Sequence, residues 1–257
     1  MLRISHYGLA LSLCLGLMAP AYADPSPLVS AEPVKVESVQ VVASRSAIAV
    51  PYQQAYEVAH KVQQATAGRI MLGMRLVPAR TDVNMDRLQL QISSENEDLD
   101  IPLQQGRFFV IPVIERLAKD KGHFYLNRKS GEMGVHLMLI PTDGPEGWTM
   151  RRVQQAVADG NLALRAFLPW YARPFIADAD AIGACSPIAG RSIALQEGGK
   201  VTLNLKADEL HTGRFGQTLH CARVRGDEVQ SRDAKLMLPD DGEIVLLAAP
   251  PRVRDRG

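Results

Sequence analysis

Between Tyr52 and Ala67 the apolar positions recur at the helical period. Tyr52, Ala55, Tyr56, Ala59 and Val62 fall on one face, and Gln53, Gln54, Glu57, His60, Lys61 and Gln64 on the other. Pro51 suits a first turn and Gly68 a stop, so the pattern predicts an amphipathic helix docked by its tyrosine–alanine–valine face, with His60 on the wet side. Past Gly68 the spacing changes to alternation. In RIMLGMRLVP, Ile70, Leu72, Met74 and Leu76 share a face; in LQLQI, Leu88, Leu90 and Ile92 point in while Gln89 and Gln91 point out. GHFYLN and GVHLMLIP read as two arms of a hairpin around RKSGEMG, and VKVESVQVV, before the helix, as a strand through Val34, Val36, Val39 and Val41.

GPEG, residues 144 to 147, breaks this pattern. WTMRRVQQAVADG follows as a helix with Thr149 at its N-cap and Gly160 as its stop, and NLALRAF as a second short helix ending before Pro169. From Cys185 the alternation returns: KVTLNLKAD sets Val201, Leu203 and Leu205 against Thr202, Asn204 and Lys206, and QTLHCARV, AKLML and EIVLLAA read as further strands. The fold class these elements predict is α+β, mainly antiparallel β. It has two β-rich lobes, each a sandwich or curled sheet, with one amphipathic helix on the first and a helical connector between them. The composition shifts place the first lobe at 34–145, the connector at 146–183 and the second lobe at 184–249. IPLQQGRFFVIPV (101–113) and LPDDGEIVLLAAP (238–250) share an outline of proline, polar turn, glycine and apolar run. Each reads as a hairpin, a resemblance of architecture that carries no chemistry.

The N-terminus changes the picture by giving an address. Arg3, an apolar run from about Gly8 to Met18 and Ala21-Tyr22-Ala23 form the three parts of a secretory signal peptide, with cleavage expected after Ala23. The run is shorter than the roughly 20 apolar residues of a membrane span. Bulky Leu13 before Cys14 argues against lipidation there. Residues 24–33, DPSPLVSAEP, read as a flexible leader and 250–257 as a disordered tail, leaving a soluble periplasmic or secreted chain with no transmembrane segment.

Losing Arg3 takes the 29 basic residues to 28, against 28 acidic ones, so the mature chain has zero formal charge. That excludes the basic footprint through which nucleic-acid binders neutralise phosphate. The locally basic MRR at Met150–Arg152 and RVRDRG at the C-terminus read as a solvated helix start and a frayed tail. Of three cysteines, Cys14 leaves with the signal peptide. Cys185 and Cys221 remain as an even pair in an oxidising space, which favours a disulfide. A zinc site drawing on His211 and His220 is the competitor, but CxxC and HxxxH are absent.

Candidate chemistry is thin. HExxH, GxxxxGK[ST], GxSxG and GxGxxG are missing, and no metal or cofactor is expected. His123 and His136, on the two arms of the predicted hairpin, could face one another. Asp178 and Asp180 have calcium-loop spacing but too few neighbouring oxygens, and read as a loop before the second lobe. Asp240, Asp241 and Glu243 surround an Asp-Gly turn, and Ser94–Asp98 an exposed acidic loop. Trp170, Tyr171, Arg173 and Phe175 make the one cluster suited to holding a sugar or peptide, or else pack helix against sheet. These observations point to a non-enzymatic exported protein that binds an envelope protein or cell-wall component. A hydrolase of envelope polymer with a dispersed site, and a small-molecule carrier with an apolar pocket between the lobes, are the alternatives.

Overall fold

The computed structural model of the chain describes residues 46–144, 147–169, 171–173, 176–227 and 231–249. The expected signal peptide, the expected leader, the expected Val34–Val41 strand, Trp170, Phe175 and residues 250–257 lie outside the described residues.

Amphipathic periodicity produces the first half. Strand β1 (Ser46–Pro51) leads into helix α1 (Tyr52–Ala65), then β2 (Ile70–Pro78), β3 (Leu90–Ser93) and β4 (Asp98–Ile101). β5 (Phe108–Val110), a short helix α2 (Glu115–Lys119), β6 (His123–Leu126) and β7 (Met133–Pro141) follow. Two antiparallel sheets result, ordered β5-β2-β7 and β1-β6-β3-β4. Tyr52, Ala55 and Ala59 of α1 bury against Leu72, Met74 and Leu76 of β2 and against Leu90, Ile92 and Phe124 of the other sheet. Tyr52 is fully covered and keeps its hydroxyl satisfied, donating to the Pro112 carbonyl at 2.8 Å and accepting from the Ile114 amide at 3.0 Å. His60 is half-buried and stacks on Tyr56 at 5.3 Å, drier than its polar-face position implied.

The second half comprises α3 (Met150–Phe167), β8 (Ala179–Ser186), β9 (Ile193–Glu197) and β10 (Lys200–Leu205). It continues with β11 (Glu209–Thr212), β12 (Thr218–Val224), β13 (Lys235–Met237) and β14 (Glu243–Ala248). Its sheets are ordered β11-β12-β8-β14 and β10-β9-β13. The Thr149 hydroxyl caps α3 by accepting from the Arg152 amide at 3.2 Å. The helix does not stop at Gly160 but runs on to Phe167. Gly160 is a packing glycine there, because a Cβ would stand 2.8 Å from a methyl of Leu246 on β14. Arg152 is no solvated helix start: it is buried, stacks over Trp148 at 5.2 Å and donates to the Thr142 carbonyl.

Setting β1 and β11 aside, the two halves have the same wiring. A helix precedes a central strand (β2 or β8), which is flanked by the fourth strand after the helix (β5 or β12) and the sixth (β7 or β14). In the companion sheet the second strand (β3 or β9) lies between the third (β4 or β10) and the fifth (β6 or β13). Even the helix starts correspond. The Tyr52 amide donates to Gly122, just before β6, and the Met150 amide to Ala234, just before β13, each at 3.0 Å. β1 pairs with β6 as Thr149 bridges to Lys235.

The outline shared by 101–113 and 238–250 does not mark this repeat. It leads into the fourth strand of the first half but the sixth of the second, and neither copy is a hairpin. β4 and β5 belong to different sheets, as do β13 and β14. β6 and β7 likewise lie in different sheets, so no hairpin forms around RKSGEMG. In each case a turn rich in glycine or proline passes the chain from one sheet to the other across the shared core.

Cys185 and Cys221 sit opposite each other on β8 and β12 and form a fully buried disulfide, Cα atoms 4.0 Å apart. In the chain-entropy picture, closing this ring stabilises the fold by about 3–4 kcal/mol. β10 departs from its pattern: Val201 and Leu203 are 58% and 50% exposed, because β10 is the outermost strand and a bulge between them breaks the alternation. Like elements meet where the halves join, α1 against α3 and β7 against β14. Val62, Ile70 and Ala163 are buried at this junction, and Asp159 receives Arg69 bidentately at 2.7 and 2.9 Å.

Candidate functional site

Among the described residues β7 and β14 are each the last strand of a sheet, so each presents a strand edge, and the two edges lie close to one another. Together with the C-terminal turn of α3 and residues 176–179 they enclose a cleft of about 650 Å³. Its wall is mostly apolar, with Met138 and Ile140 from β7, Leu164 and Phe167 from α3, and Leu246 from β14. Gly73 on β2 helps shape that wall, since any Cβ would collide with Ile140 and Phe108 at 2.5 Å.

Polar side chains gather at one end: Arg75, His136, His211, Arg214 and Glu243. Arg75 stands on the outer face of β2 and reaches across to the β11–β12 turn, donating to the Gly213 carbonyl at 3.0 Å. The turn approaches closely because Gly216, at φ +88°, lacks a Cβ that would meet Arg75 at 2.9 Å; Phe215 meets Phe108 edge-on at 6.0 Å. The second terminal nitrogen of Arg75 lies 3.1 Å from His136 Nδ1. Arginine only donates, so His136 accepts there and carries its proton on Nε2. Burial pushes the Arg75 guanidinium below its ordinary pKa. Burial also lowers His136, with the Arg75 charge adding to the effect.

The other charged groups at this end are paired. Glu243, 6% exposed, accepts from the Arg214 amide at 2.9 Å and its Nε at 3.0 Å, and from Gln217 at 3.0 Å. Glu209 lies 3.1 Å from His211 and receives Arg223 at 2.8 and 3.1 Å, and that Arg223 bond holds its carboxyl below the usual range. Arg223 also donates to Asp180 at 2.7 Å, and Arg225 does so at 3.2 Å. By contrast, Arg75 has no acidic partner among the described residues, and its Nε is buried without an acceptor.

The residues singled out from sequence fare differently. Cys185 and Cys221 are joined, which consumes both thiols. His211 and His220 are opposite Leu219 and Leu210 in the ladder and so point to opposite faces. His123 and His136 lie in different sheets and do not face one another. Asp180 is not a loop residue but part of β8 and of the ion network, while Glu243 starts β14 and is buried. Of the aromatic cluster, Tyr171 is 63% exposed, and Arg173 donates to the Arg165 and Leu168 carbonyls at the end of α3. Arg75 escaped notice. Its signal was a single charge inside the apolar strand IMLGMRLVP, on the face opposite Leu72, Met74 and Leu76.

No family model, curated protein or solved structure matches the chain. Among the described residues no helix is long and apolar enough to cross a membrane, and no three His, Cys, Asp or Glu side chains converge as metal ligands would.

Proposed function

We propose that this is an exported, non-enzymatic binding protein that takes a small, largely apolar molecule into the cleft between its two halves. The observation that carries the reading is the cleft itself: about 650 Å³ with apolar walls and a few polar groups at one end. Ligand pockets span roughly 300–1,000 Å³ and have that character. Two facing strand edges supply walls that neither half could build alone. Export is supported by the N-terminal charge–apolar–AYA pattern and by the disulfide, which suits an oxidising compartment such as the periplasm.

A fluorescence titration with the neutral apolar dye N-phenyl-1-naphthylamine tests this. The mature protein should bind the dye saturably, and Met138→Trp, which fills the cleft from β7, should weaken binding about tenfold or more while leaving the melting temperature in place. Dye uptake unaffected by Met138→Trp, or no saturable uptake, would remove the cleft as a ligand site.

A further inference from the structure

An isolated positive charge in a dry place is costly, and proteins normally pair it. At the polar end of the cleft the acids are already engaged: Glu243 with Arg214, Glu209 and Asp180 with Arg223. Arg75, at the same end, has no acidic partner among the described residues. Its terminal nitrogens give one bond each, to the neutral acceptors Gly213 and His136, and its buried Nε gives none. Three of the five guanidinium N–H groups therefore lack an acceptor among the described residues. Beside it, His136 must carry its remaining proton on Nε2, which meets no acceptor among the described residues, so a second donor stands at the same end of the cleft.

We infer that the ligand of this cleft is a monoanionic amphiphile whose head is held by Arg75 and His136 and whose apolar body lies between β7 and β14. The inference rests on the cleft being a ligand site and adds the chemistry of its occupant. One uncompensated cation calls for one negative charge, and the planar fork of a guanidinium matches the two oxygens of a carboxylate. Head and body together, the cavity of about 650 Å³ holds at most on the order of 20 groups the size of a water molecule, about 30 Å³ each. That suits one acyl chain or a fused-ring skeleton. The uncharged alternatives leave Arg75 as poorly compensated as before, and a cationic head meets it directly.

The probes are dodecanoate, dodecanol and dodecylammonium, titrated calorimetrically at pH 8 below their aggregation limits into the mature protein. Dodecanoate should bind about tenfold or more tighter than either of the others. Arg75→Gln should abolish that preference and leave dodecanol binding nearly unchanged; Arg75→Lys should restore part of it. Should Arg75→Gln fail to fold, the head-group ranking of the unmodified protein and the Arg75→Lys result decide the matter. Equal binding of all three probes would overturn the anionic head while leaving the cleft as an apolar site. Binding of none would remove both. Capture by phosphatidylglycerol vesicles without uptake of free dodecanoate would assign the anion to a bilayer surface and overturn the proposal.

Discussion

The imidazole of His136 accepts from Arg75 and is therefore neutral on Nδ1, and both burial and the neighbouring charge disfavour its protonation. In the unfolded chain the same ring titrates near pH 6.5. With the folded value below the unfolded one, stability is complete above about pH 6.5 and falls as the pH drops through the folded value. Glu209 acts in the same direction at lower pH: the Arg223 hydrogen bond lowers its folded pKa, so its contribution is lost only below the ordinary carboxylate range of about 4.3. His136→Gln removes the upper limb alone. Melting temperatures at pH 7.5 and pH 5.5 should then converge in His136→Gln compared with the unmodified protein. An equal loss in both would rule out His136 as the titrating group. Sequence gave no warning of this, because Arg75 and His136 are 61 residues apart and only the β2–β7 register places them side by side.

At the scale of elements, α1 was written openly in the chain. Its predicted apolar face holds Tyr52, Ala55, Ala59 and Val62, all buried, and Gly68 follows its last turn at φ +75°. Ala59→Asp places an unpaired carboxylate inside the first core and should cost about 3 kcal/mol or more. Gln54→Asp puts the same group on the exposed face of the first turn, where the helix dipole favours it, and should change stability by about 0.5 kcal/mol or less. Urea midpoints measure the difference; matching midpoints would contradict the docking face. Most strands, β2, β3 and β12 among them, were legible as strands, but β1, β4, β8, β9 and β11 were not, and no strand showed its partner. Alternation says which residues share a face, while sheet membership depends on where the next turn sends the chain, as between β4 and β5 and between β13 and β14.

For the whole molecule, the joint between halves rests on Val62, Ile70 and Ala163 and on Asp159, whose side chain is 3% exposed. Asp159 holds Arg69 bidentately and lies 3.6 Å from Arg152, which is itself buried with Nε and Nη1 lacking hydrogen-bond partners. Asp159→Ala strands the Arg152 charge and should destabilise the protein by about 3 kcal/mol, the lower end for a broken buried pair because Arg69 can turn to water. Chemical denaturation of Asp159→Ala against the unmodified protein checks this. A loss indistinguishable from that of an exposed-pair mutant such as Asp233→Ala, whose Arg151 partner is exposed, would show that the joint does not depend on Asp159.

Local periodicity determined α1, the helical start at Thr149 and most strands, since which face is apolar is a property of neighbouring residues alone. Counting pointed to the disulfide, because Cys185 and Cys221 are the two cysteines outside the expected signal peptide. Tertiary structure decided the rest. That Gly160 is a packing residue inside α3, not its end, depends on Leu246 of β14 lying against it, and that Arg152 is buried goes with Trp148 and Asp159 converging on it. The like wiring of the two halves exists in strand pairing and is not visible in residue identity. The cleft, where Arg75 has no acidic partner among the described residues, arises because two edge strands from opposite halves of the chain come to rest face to face. No local pattern encodes a distance between residues so far apart in sequence.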